Sequence, residues 1–66
     1  MTCRELIETL LSRQIVSSQL SAYSTAIYYQ LWREGCVFDS SDRSVQTHRA
    51  RLRKLGFDIV KPHVAE

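Results

Sequence analysis

The segment Asp39–Asp58, DSSDRSVQTHRARLRKLGFD, constrains this chain more than any other. Asp39, Ser40, Ser41 and Asp42 are turn and capping residues, and the thirteen residues that follow contain neither glycine nor proline until Gly56 supplies a stop. The pattern predicts a helix from Arg43 to about Leu55. With 100° per residue and Val45 at the origin, Leu52, His48 and Leu55 fall within 80° of it and define a buried edge. The opposite face is then fixed. Arg43, Gln46, Thr47, Ala50 and Lys54 lie near its centre, Arg51 and Arg53 on its flanks, and Arg49 close to the core boundary.

Upstream, Thr2-Cys-Arg-Glu5 has the form of a capping box, and Cys3, Leu6, Ile7, Leu10 and Leu11 recur at spacings of three and four. A first helix is expected from Cys3 to about Gln14. Ser17, Ser18 and Ser21 offer capping oxygens for a second helix that starts between Ser18 and Ala22 and ends before Gly35. On that helix Tyr23, Ile27 and Leu31 fall together while Tyr28, Tyr29 and Trp32 continue around the far side. A helix apolar nearly all round is buried from more than one direction, as the centre of a three-helix core would be. In the competing reading Tyr28, Tyr29 and Trp32 protrude and form a dimer or partner surface, because such aromatics serve as interface anchors. Cys36-Val-Phe38 reads as an apolar plug, Phe57–Val60 as a short extended segment, and Pro62 as its stop. The expected architecture is one all-α domain over residues 1–66: a three-helix, helix-turn-helix-like unit with a short extended C-terminal segment.

Size and composition narrow the function classes. A 66-residue chain buries roughly 60% of the surface its unfolded form exposes, so self-association or a partner would add useful stability. Cys3 and Cys36 lack any disulfide framework or secretory leader before them, which points to an intracellular setting, such as a bacterial host, with free buried thiols. No apolar run approaches the ~20 residues of a membrane span. Cys3, Cys36, His48 and His63 lack paired metal-ligand spacing, so no metal and no cofactor is expected. His48, on the apolar edge, reads as a hydrogen-bonded core residue. Tyr23, Tyr28 and Tyr29 could suggest a DNA-nicking nucleophile, but the histidine pair flanking one apolar residue that would hold its metal is missing. There is no Gly-rich phosphate loop and no Ser/His/Asp constellation either, and a non-enzyme is expected.

Charge gives the positive indication. From Arg43 to Lys61 six basic residues face one acidic residue, a local net charge of +5, whereas the residues before Arg43 sum to −2. Such asymmetry predicts a polyanionic partner better than the overall +2 does. A small residue, Ala50, among long polar ones suits docking in the major groove, where Gln pairs with adenine and Arg with guanine. Arg43, Ser44, Gln46, Thr47, Ala50 and Arg51 are therefore the expected DNA-contacting residues of the first turns, and Arg53, Lys54 and Lys61 the expected phosphate contacts. Whether the DNA is duplex or single-stranded stays open. The alternative from another class is a protein-binding inhibitor or adaptor whose basic face meets an acidic host protein, and a homodimer is a third possibility.

One further pattern bears on this. Tyr29-Gln-Leu-Trp32-x-x-Gly35, followed by Ser44-Val45-x-x-His48-Arg49-x-x-Leu52-x-x-x-Gly56-Phe57-Asp58-Ile59, resembles the C-terminal region of filamentous-phage replication initiators of the gene II/X type. The resemblance spans roughly Tyr29 to Pro62. It departs from the family where an aromatic and a basic residue often precede the His-Arg pair and this chain has Gln46 and Thr47. The shorter product of that family starts internally and lacks the nicking domain, so the resemblance implies a module that binds DNA and acts in replication without cutting.

Overall fold

A computed structural model describes residues 1–61 and contains three helices and no strand among them: α1 (Cys3–Ser12), α2 (Gln19–Arg33) and α3 (Arg43–Arg53). The all-α, three-helix expectation holds. Each helix starts on a side-chain cap that satisfies an otherwise orphaned backbone N–H. Thr2 Oγ1 accepts from Glu5 N at 3.1 Å while Glu5 Oε1 accepts from Thr2 N at 3.3 Å, which completes the capping box and lowers the Glu5 pKa. Ser18 accepts from Ser21 N at 3.2 Å, and Asp42 from Ser44 N at 2.8 Å.

All three helices also end alike, with a left-handed residue followed by an amide that reaches back to the last turn. Gln14 (φ 57°), Gly35 (φ 100°) and Gly56 (φ 93°) are the left-handed positions. Ile15 N donates to Leu10 O, Cys36 N to Leu31 O and Phe57 N to Leu52 O, each at 3.0 Å. The two glycines are legible in the sequence as stops. Gln14 is not, because a side chain in this region is strained, and α1 ends at Ser12 rather than at Gln14. That closure folds Val16 into the core.

The core consists of Leu6 and Leu10 from α1, Val16, Ala22, Ala26, Tyr29 and Trp32 from α2 and its approach, Val45 and Leu52 from α3, and Ile59 beyond it. Small Ala22 and Ala26 on the buried side of α2 leave room for the leucines of α1. After α3 the chain returns across α2: the Phe57 ring lies 5.0 Å from Tyr29 and 6.1 Å from Trp32, and Trp32 Nε1 donates to Lys61 O at 2.6 Å. This segment is non-helical as expected, but it closes into a turn at Asp58–Lys61 rather than running extended. Pro62 and His63 lie outside the described residues.

The protruding-aromatic reading of α2 is overturned. Tyr29 is 2% and Trp32 9% exposed, and half-buried Tyr28 stacks on His48 at 4.1 Å, so these rings are packing. The companion expectation, that α2 is covered on nearly every side, also fails. Tyr23, Ile27 and Leu31 are exposed because α1, α3 and the C-terminal turn all gather on the side marked by Ala22, Thr25, Tyr29 and Trp32. Of the connector only Phe38 plugs, against Tyr28 at 5.2 Å, while Val37 and Cys36 are exposed. Cys3 is half-buried, its thiol 3.2 Å from Gln30 Oε1.

Candidate nucleic-acid interface

The third helix is built from two faces with separate duties. Its inner face carries Val45, His48 and Leu52, all buried. His48 Nδ1 lies 2.9 Å from Thr25 Oγ1, a hydroxyl on α2 with no exposure, and the same oxygen accepts from Arg51 Nη1 at 3.1 Å. With Arg51 donating to it, Thr25 spends its own proton on Nδ1, so the imidazole is neutral and carries its proton on Nε2. Burial, aided by the nearby Arg51 charge, holds the His48 pKa below its ordinary value. Sequence reasoning places His48 in the core but misses Thr25 as its partner. The signal is a lone hydroxyl on the buried face of an otherwise apolar helix.

Arg49 closes the other edge. Its Nε and Nη2 reach the two Asp58 carboxylate oxygens at 2.9 and 3.2 Å, a bidentate pair that joins α3 to the returning turn. Asp58 also accepts from Val60 N at 3.1 Å. The Arg49 contact first, and the Val60 amide after it, hold the Asp58 carboxyl below the usual carboxylate range. Arg49 is thereby removed from the set of cations that face solvent alone.

The outer face presents most of the expected contacts together. Arg43, Ser44, Gln46, Thr47, Ala50, Arg53 and Lys54 are all exposed, and Lys61 is exposed at the end of the returning turn. Arg43, Arg53, Lys54 and Lys61 have no ion pair among the described residues. Their neighbours are less free than the sequence suggests. Gln46 Nε2 donates to the Ser40 carbonyl and Thr47 Oγ1 to Arg43 O at 3.2 Å, so both polar tips are turned onto the protein's own backbone. Arg51 is half-buried and held by Thr25, at the boundary of the face rather than on it. Among the described residues no group of three or more His, Cys, Asp or Glu side chains is placed to hold a metal ion, and no helix is long and apolar enough to cross a membrane.

Comparison with known proteins decides the relationship. Residues 10–65 match the family described as the C-terminal region of the replication-associated protein encoded by phage gene II. The chain belongs to that family. Over 52 residues, 79% of its length, it is 48% identical to the replication-associated protein of the same type from Escherichia phage If1, and it spans 16% of that relative. No solved structure matches. The resemblance drawn from Tyr29–Trp32–Gly35 and His48–Arg49–Leu52–Gly56–Phe57–Asp58–Ile59 thus holds, and the coordinates explain why those residues carry it. Tyr29, Trp32, Phe57 and Ile59 are core or ring contacts, His48 and Arg49 tie α3 to α2 and to the turn, and the glycines close the helices. The family pattern is a pattern of scaffold residues.

Proposed function

We propose that this domain is a DNA-binding module of a phage replication protein, one that grips the nucleic acid through the outer face of α3 and carries no strand-cutting chemistry of its own. The observation that supports this best is the segregation of charge on α3. The inner cations are consumed, Arg49 by Asp58 and Arg51 by Thr25, while Arg43, Arg53, Lys54 and Lys61 stand exposed on or beside the outer face. Nothing in the packing of the domain uses those four charges, and each gives up conformational freedom and solvation only when a partner is met.

In this reading Arg53, Lys54 and Lys61 neutralise phosphates. Arg43 and Ala50 approach base edges, and Gln46 and Thr47 exchange their internal hydrogen bonds for external ones. The nine-residue connection between α2 and α3, residues 34–42, is longer than the three to four residues of the usual helix-turn-helix, so α3 is set by the Thr25 and Asp58 anchors rather than by a tight turn. The test is fluorescence anisotropy with duplex, single-stranded and hairpin DNA across a salt series. The expected result is affinity that falls linearly in log–log form, with a slope of about −3 if three to four phosphates are neutralised. Binding indifferent to salt, or no binding to any of the three, contradicts the reading.

A further inference from the structure

We propose that the outward face of α2 is a self-association surface whose occupant is a second copy of this chain, packed antiparallel across a two-fold axis. The face carries Leu20, Tyr23, Ile27 and Leu31, which are 78, 46, 58 and 38% exposed. Their spacings of three, four and four keep them in one stripe about 16 Å long. Four large apolar side chains outward, over Ala22, Thr25 and Ala26 inward, invert the ordinary order of a surface helix. Contiguous apolar surface of this kind marks an interaction site.

The occupant follows from the symmetry of the stripe and from what borders it. Leu20 and Leu31 lie equally far from the midpoint of the helix near residues 25 and 26, so a reversed copy sets Leu20 against Leu31 of the second copy and Ile27 against Ser24, whose small side chain permits close approach. Beside the stripe, between α1 and α2, opens a cavity of about 300 Å³ lined by Cys3, Ile7, Tyr23, Ala26, Ile27 and Gln30. The same surface therefore offers both a projecting knob and an apolar hole, as an isologous interface requires.

Charge is compatible as well. The stripe is bordered by Gln19, Ser24, Gln30 and Glu34, and reversal brings Glu34 to the N-terminal end of the opposing helix, where a carboxylate is favoured. The cationic helix meets α2 through Thr25 and Tyr28, away from Ile27, so both basic faces stay outside the joint. The four side chains offer apolar area on the order of 400 Å² per copy, about half of a standard interface, which fits a dimer forming near 100 μM rather than an obligate one. The proposal does not depend on the nucleic-acid reading.

Sedimentation equilibrium of the full 66-residue chain between about 10 μM and 1 mM tests it. Leu20→Glu and Leu31→Lys are each expected to weaken association at least about 30-fold without loss of helical circular dichroism, since both residues are exposed. The combined variant should regain association, because the reversed register pairs position 20 with position 31. A chain that stays monomeric at about 1 mM overturns the proposal and assigns the face to a different polypeptide. Association indifferent to both single substitutions overturns it too, and a combined variant no better than the single ones overturns the antiparallel register.

Discussion

The inner and outer faces of α3 occupy the same eleven residues and obey different rules. On the inner face every polar group is matched. His48 bonds to Thr25, Arg49 is paired with Asp58, and no buried side-chain N or O among the described residues lacks a partner. On the outer face Arg43, Arg53 and Lys54 have no ion pair among the described residues, and the polar tips that are satisfied, Gln46 and Thr47, bond locally to the backbone. Burial explains the difference. An unmatched group inside loses hydrogen bonds that water restores outside, so the inner face is fixed by chemistry while the outer one is free to be written for a partner. This is also why the family resemblance falls on Val45, His48, Arg49 and Leu52 and departs at Gln46 and Thr47.

The comparison is broken most severely from inside. Leu52 has no exposure and sits where α3, the core and the helix-closing amide of Phe57 meet. Leu52→Ala is expected to cost about 2–5 kcal/mol, a large part of the stability of so small a domain, and to abolish cooperative thermal unfolding or lower its midpoint by more than about 10 °C. A midpoint shift no larger than that of a surface substitution would mean that α3 is not anchored through this edge.

A smaller effect comes from the Thr25–His48–Arg51 cluster. The folded state holds the His48 pKa below its unfolded value, so the unfolded chain binds the proton more readily. The stability this contributes is complete above about pH 6.5 and declines as pH falls below that value. The groups facing the ring are the Thr25 hydroxyl, the Arg51 guanidinium and the Tyr28 ring. Denaturant midpoints measured between about pH 7.5 and 5 should therefore slope downward toward acid. In His48→Gln that slope should be lost, while the separate decline below about pH 4 from protonation of Asp58 remains. A wild-type chain with no slope above about pH 5 would show that His48 titrates as it does in the unfolded chain.

Much of this organisation is visible in the residues. The capping box, the glycine stops and the 3.6-residue period of α1 and α3 act locally, and they place the helices to within two residues. The outer face of α3 follows from the inner one by geometry alone. What fails is α2. A helix with apolar residues on every side does not reveal which side its neighbours will choose, and the choice is made by the nonlocal return of Phe57 and Ile59 onto Tyr29 and Trp32. The stripe through Leu20, Tyr23 and Ile27 consequently reads as core in the sequence when it is surface in the fold. Thr25 is invisible for a related reason, since its role exists only once His48 and Arg51 arrive from another helix.

The claim that α3 is held by one face and binds DNA with the other is tested most directly by Arg53→Ala/Lys54→Ala, with chemical denaturation and DNA anisotropy measured on the same preparation. Both residues are exposed and have no ion pair among the described residues, so the denaturation midpoint should stay where it is. The logarithmic salt slope of DNA binding should become shallower by about 2, and affinity should fall for every sequence alike. An unchanged salt slope with intact folding, or a loss of stability without a loss of binding, would contradict the division of α3 into a holding face and a gripping face.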